Sequence, residues 1–170
     1  GVKEMLAALN AFPDYGVVIT GVNADPGHDA IVHTLHDFVA ANEDRATLHA
    51  SLGQLRYLSA MKHAAAVIGN SSSGIIEAPA LKVPTVNIGY RQKGRLRASS
   101  ITDCTAQTED IAAAIGRVLD QGFRAGLDGM ALPYGGSGAS ARIKDHIKST
   151  DLGVLTRKPF CDILLQKAAS

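Results

Sequence analysis

The chain has 170 residues, 46% hydrophobic and 19% charged, with a formal net charge of +1; that length suits one domain with a sizeable core, and a charge so near zero, without a long basic face or aromatic-basic interleaving, predicts no nucleic-acid and no membrane partner. No apolar run approaches transmembrane length and Gly1-Val2-Lys3-Glu4 lacks a signal-peptide shape, so the expectation is a soluble, cytoplasmic protein. Cys104 and Cys161 lie far apart without metal spacing, and none of the 6 histidines forms HxxxH with a nearby acid, so neither a metal nor a cofactor is expected.

Met5, Leu6, Leu9 and Phe12 recur at helical spacing over residues 2–12, and Pro13-Asp14 ends that helix. Val17-Val18-Ile19-Thr20 reads as a short buried strand, followed by a breaker-rich turn over 21–27 and a helix with Ile31, Leu35, Phe38 and Val39 on one side. Residues 47–50 read as the next strand, 52–61 as a helix carrying Leu55 and Leu58, and Ala65-Ala66-Val67-Ile68 as a third strand. That strand ends in Gly69-Asn70-Ser71-Ser72-Ser73-Gly74, after which Ile75, Ile76, Ala78, Ala80 and Leu81 give a helix stopped by Val83-Pro84. Thr85-Val86-Asn87-Ile88 is a fourth strand and 99–102 a fifth; 110–119 is an amphipathic helix, 121–138 a glycine-rich connection, 139–148 a last helix and 151–170 a tail. Strands alternating with helices at this spacing predict βαβ crossovers and a doubly wound, Rossmann-like α/β fold with a parallel sheet. Ligands in such sheets sit beyond the carboxyl ends of the strands, where the loops at Asn23, 49–53, 69–74 and 89–97 gather.

The chemistry concentrates at residues 69–77. A helix start leaves amides without intrahelical partners and carries partial positive charge, so phosphate is stabilised there. Ser71, Ser72 and Ser73 add hydroxyl donors, Gly69 and Gly74 let a ligand approach the backbone, and no carboxylate stands in the first turn to repel it. Glu77 follows Ser73 by one turn on the same face, at a rise of roughly 6 Å. A carboxylate accepts two hydrogen bonds from a vicinal diol, so phosphate at the helix start and ribose at Glu77 form a coherent nucleotide pose. A serine cap followed by a solvent-facing glutamate is the competing reading. Arg91, Lys93, Arg95 and Arg97 place four cations within seven residues. A solvated loop is the ordinary account of them, whereas a guanidinium at this edge would hold a diphosphate bidentately. Asn23 and Asp25 suit a turn, and Tyr57 at apolar helical spacing suits core packing, although an aromatic face also suits a base. His63 has no catalytic partner beside it in sequence, and His28, His33, His36, His49 and His146 have no better claim.

GNSSSGIIEAP followed by PTVNIGYRQKGR resembles the C-terminal half of UDP-N-acetylglucosamine 2-epimerases, especially the hydrolysing kind that makes N-acetylmannosamine for sialic-acid-type sugars. Pro133-Tyr134-Gly135-Gly136-Ser137-Gly138-Ala139-Ser140 is similar to the PYGxGxxS stretch that closes the second domain of those enzymes, although its glycines also serve a turn into the last helix. The resemblance implies two doubly wound domains of GT-B type facing across a cleft, of which residues 1–150 would be the second, nucleotide-sugar-binding domain. Residues 151–170 would then cross to a first domain absent from this chain.

By the same resemblance, Asn23, in its NADPG setting, lies in the nucleotide-sugar site, Tyr57 matches an aromatic near the uracil, and Arg91 contacts the nucleotide, with Arg95 second. The implied ligand is UDP or UDP-N-acetylglucosamine bound at Asn23, Tyr57, Ser71, Ser72, Glu77 and Arg91. The full-length homodimer would eliminate UDP and then add water across the resulting glycal. The carboxylates for that chemistry come from the first domain and a histidine from a strand just upstream of Gly1, so this chain alone is expected to carry no catalytic residue and to be inactive. Five strands are expected, with the gap left by the missing first strand either closed directly or filled by a partner. A GT-B glycosyltransferase, a nonhydrolysing epimerase giving UDP-N-acetylmannosamine and a noncatalytic nucleotide-sugar module remain as alternatives.

Overall fold

Strand and helix alternate as the hydrophobic pattern requires, except that residues 89–100 join the fourth strand to the fifth without a helix. The computed structural model describes residues 1–21, 28–151 and 153; Asn23 and most of the tail lie outside the described residues. The chain forms two units, Gly1–Gly135 and Gly136–Ser170. The first contains α1 (Val2–Leu9), β1 (Val17–Thr20), α2 (His28–Ala40), β2 (Ala46–His49), α3 (Gly53–His63), β3 (Val67–Gly69), α4 (Ser73–Ala80), β4 (Thr85–Ile88), β5 (Ile101–Cys104), α5 (Thr108–Leu119) and α6 (Gln121–Ala125). The second contains α7 (Ala139–Ser149).

The five expected strands are present and every pairing is parallel, but they make two sheets, β1-β2 and β3-β4-β5. The direct closure considered above is not seen: among the described residues β1 pairs with β2 and β3 with β4, and β1 and β3 do not pair with each other. Side chains join the halves instead. Met5 and Leu9 of α1 pack against the core of Leu6, Leu35, Phe38 and Ala46 under the first sheet. They also pack against the core of Ala8, Val86, Ile88, Ile111, Ala114, Ile115 and Val118 under the second. A third cluster, Met61, Ala78 and Val83 with Tyr57, Val67 and Leu81 around it, locks α3 onto α4 and β3.

β4 is buried at all four positions, as befits the middle of three parallel strands covered on both faces. The glycine-rich connection expected over 121–138 opens with a short helix, α6. Asp120 nucleates it by accepting a hydrogen bond from the Phe123 amide at 3.1 Å, a capping signal that outweighs Gly122. Two glycines are demanded by close backbone approach. At Gly21 a Cβ would collide with the Ala50 carbonyl oxygen, and at Gly74 it would stand 2.8 Å from Thr85 Cγ2.

Candidate functional site

The carboxyl ends of β3 and β4 run into two loops that touch. The serine loop, 69–72, leads into α4; the arginine loop, 89–97, follows β4. Gln92 Nε2 in the second donates to the Asn70 carbonyl in the first at 2.8 Å. Ser71, Ser72 and Arg91, the neighbours of that bond in sequence, are thereby brought to one place.

The donors differ in one respect from the sequence expectation. The first amides of α4 are taken within the turn, Ser73 by Ser71 Oγ at 3.3 Å, Gly74 by the Ser71 carbonyl at 3.2 Å and Ile75 by the Ser72 carbonyl at 3.0 Å. It is the preceding amides of Asn70, Ser71 and Ser72 that have no partner among the described residues. Three consecutive free amides beside a helix N-terminus are a concavity suited to an anion. The capping hydroxyl is that of Ser71, while Ser72, at the N-cap position, makes no side-chain cap. Behind them Ser73 Oγ is buried without a partner among the described residues, and the Thr85 hydroxyl donates to the Gly74 carbonyl at 2.9 Å, pinning the helix start to β4.

Glu77 is exposed on α4 and, among the described residues, is in no ion pair. Arg91 and Arg95 are exposed, and their side chains have no ion pair or hydrogen bond among the described residues. Arg97 is different. Its Nε bonds Asp103 at 3.1 Å, its Nη1 the Arg95 carbonyl at 2.8 Å and its Nη2 the Gln92 carbonyl at 3.0 Å. It is therefore a brace of the loop, and Arg91 and Arg95 remain as the guanidinium groups open to a ligand. Tyr134 adds a second tie, accepting from the Leu96 amide at 3.0 Å, so the PYG stretch does more than turn the chain.

Tyr57 packs in the core and also reaches a cavity. The half-buried ring packs on the Met61–Ala78–Val83 cluster and also lines an open cavity of about 300 Å3 with Thr20, Gly21, 50–53 and Gln54, beyond the ends of β1 and β2. A second cavity, of about 380 Å3, lies at the ends of β4 and β5, lined by Gly89, Tyr90, Lys93, Arg97, Asp103, Cys104 and Thr105. Burial, with Asp110 and Asp103 nearby, pushes the Cys104 thiol up, so at neutral pH it stays uncharged. His63 is exposed at the end of α3. Among the described residues no cluster of three or more His, Cys, Asp or Glu could hold a metal, and no helix is long and apolar enough to cross a membrane.

The cations stand out in the sequence, whereas Gln92 and Asp103, which hold Arg97, and Asn87, which holds Asp103, do not. Nothing in the local pattern marks a glutamine between Arg91 and Lys93 as buried; the pairing of Asn87 with Asp103 becomes visible only with the strand register.

Comparison with known proteins decides the family. Residues 1–148 match the family described as UDP-N-acetylglucosamine 2-epimerase. The chain belongs to that family. Among its epimerase relatives is the GDP/UDP-N,N'-diacetylbacillosamine 2-epimerase (hydrolyzing) of Campylobacter jejuni, 36% identical over 95% of this chain and 42% of its own. The polysialic acid biosynthesis protein P7 of Escherichia coli is 36% identical over 95% of this chain and 41% of its own. A UDP-N-acetylglucosamine 2-epimerase of Neisseria meningitidis is 33% identical over 59% of this chain and 26% of its own. This epimerase-family chain thus spans about two fifths of the length of the first two relatives.

Proposed function

We propose that this chain is the UDP-binding half of a hydrolysing UDP-N-acetylglucosamine 2-epimerase. The full-length protein would convert UDP-N-acetylglucosamine to N-acetylmannosamine plus UDP by elimination and hydration. The observation that carries the reading is the juxtaposition of three unpartnered amides, Asn70 to Ser72, with a loop that bears the unpaired guanidinium of Arg91. A diphosphate matches both, because amides and a bidentate guanidinium satisfy its oxygens without a metal ion. Glu77, one turn along α4, takes the ribose hydroxyls. Tyr57 offers its face to the base, supported by its place in both the α3–α4 packing and the cavity beyond β1 and β2. Asn23, outside the described residues, belongs to the same site by its position after β1.

The reaction also needs groups to remove the C2 proton and to protonate the leaving oxygen. In this reading they come from a first domain, with a further strand of the nucleotide domain preceding Gly1, and the complete protein is a homodimer acting in the cytoplasm. The diacetylbacillosamine epimerase among the relatives favours a wider class as second reading, a nucleoside-diphosphate 2-acetamido sugar whose second substituent this half does not select.

Calorimetric titration with UDP and with GDP, on the wild type, Glu77→Ala and Arg91→Ala, tests the reading. UDP binding that each substitution weakens about tenfold, the size of one lost charge-assisted contact, supports it. Wild-type affinity retained in both variants would sink the pose, and tighter binding of GDP would reassign the nucleotide.

A further inference from the structure

The arginine loop is held in place by side chains rather than by ladder bonds. Gln92 is only 4% exposed although Arg91 and Lys93 on either side are exposed. Its Nε2 donates to the Asn70 carbonyl at 2.8 Å, and its own carbonyl accepts from Arg97 Nη2 at 3.0 Å. Arg97 reaches on to Asp103, and Asp103 Oδ1 accepts from Asn87 Nδ2 at 2.6 Å. Asn87, 1% exposed on β4, faces Asp103 on β5 as its register partner. A continuous chain of bonds therefore begins in the serine loop, crosses the arginine loop and ends on two adjacent strands.

The orientation of the Gln92 amide follows from its partner. A carbonyl can only accept, so Nε2 faces Asn70 and Oε1 points the other way. That Oε1 is buried without a partner among the described residues. A buried amide satisfied at one end only is a poor device for stability, since an apolar side chain of similar length would fill the space without an orphaned acceptor. What an apolar side chain would not do is hold the Asn70 carbonyl at a fixed distance from the loop that carries Arg91.

We propose that Gln92 is a positioning residue: through the Asn70 carbonyl it sets the spacing between the free amides of Asn70 to Ser72 and the Arg91 guanidinium, so that the diphosphate site is formed before the ligand arrives. The identity of the ligand rests on the nucleotide reading above; the clamp itself rests on the bonds just described. A site ordered in advance loses less freedom on binding, and the anchor that orders it contributes to affinity without touching the ligand.

Gln92→Met removes the donor and the orphaned acceptor together while keeping length and burial. The arginine loop supplies its own reporter, because Arg91, Lys93 and Arg95 are exposed tryptic sites. The expected result is an unfolding midpoint in urea close to wild type, cleavage within 91–95 accelerated several-fold, and UDP affinity reduced about tenfold, as for the loss of one ordering contact. Arg91→Ala should then add little on top of Gln92→Met, because a guanidinium already out of place has little left to lose. Val83→Ala, a core truncation, serves as control and should lower the midpoint while leaving the 91–95 cleavage of the folded protein unchanged.

Wild-type cleavage rates in a folded Gln92→Met protein overturn the clamp, and so does undiminished UDP affinity. If the wild type binds neither UDP nor inorganic pyrophosphate, the nucleotide reading fails while the cleavage rates still decide the clamp. Should Gln92→Met fold poorly, Gln92→Glu keeps the shape without the amide donor and is read by the same two measurements.

Discussion

Gly74 shows how narrowly the helix start is fitted. It lies one residue into α4, with the Thr85 methyl so close that an added Cβ would meet it at 2.8 Å, and its carbonyl accepts from the Thr85 hydroxyl at 2.9 Å. Thr85 is 2% exposed and sits in β4, so neither partner can swing away. Gly74→Ala should cost about 1–3 kcal/mol by overpacking, even though alanine is the better helix former. Urea unfolding of the variant measures this; a stability gain would mean that β4 and α4 part easily. In the same residues lies a reason for the bare side chain at Gly74: the helix start must approach the strand closely for the serine loop to lie beside the arginine loop.

At the level of elements, α5 carries more of the core than the helices that flank the site. Ile111 and Ile115 are 0% and 2% exposed, packed with Val118 against Val86 and Ile88 of β4 and against Ala8 of α1. Truncating Ile111 to alanine should destabilise the protein by about 2–5 kcal/mol through lost burial and the cavity left behind. Calorimetry or urea melts would register it, and a loss below that range would show that the α1–α5 packing collapses around the gap. This helix was legible in the sequence because its apolar residues recur at 3.6-residue spacing, and so was β4, where Val86 and Ile88 alternate with Thr85 and Asn87 between Pro84 and Gly89. Strand ends were less legible. β5 begins at Ile101, two residues later than its pattern suggests, because Ala98 and Ser100 are buried in the loop before the ladder starts. The serine loop and Arg91 could be named from residue type, whereas Gln92 could not, because its burial depends on a contact 22 residues away in sequence.

At the scale of the whole molecule, the five strands divide into two sheets among the described residues. Among the described residues β4 has ladders on both sides, whereas β1 and β3 have one each, and unpaired strand edges are where sheets open or recruit other strands. α1 packs on both cores, where the helix of a βαβ crossover into β1 would stand. The proposed upstream strand would enter there, parallel to both neighbours, and turn two sheets into one. Hydrogen exchange would detect it. In this chain the β4 amides should exchange slowest and those of β1 and β3 faster, because local opening follows missing ladder bonds and burial. In a longer protein that carries the strand, β1 and β3 should gain roughly tenfold or more in protection, while β2 and β5, at the outer edges, gain little beyond the general rise in stability. Equal gains at β2 and β5 would mean that the added residues merely stabilise the fold. No gain at β1 and β3 would leave the packing of α1 and α3 to join the halves, and the nucleotide site would then have to work across two separate sheets.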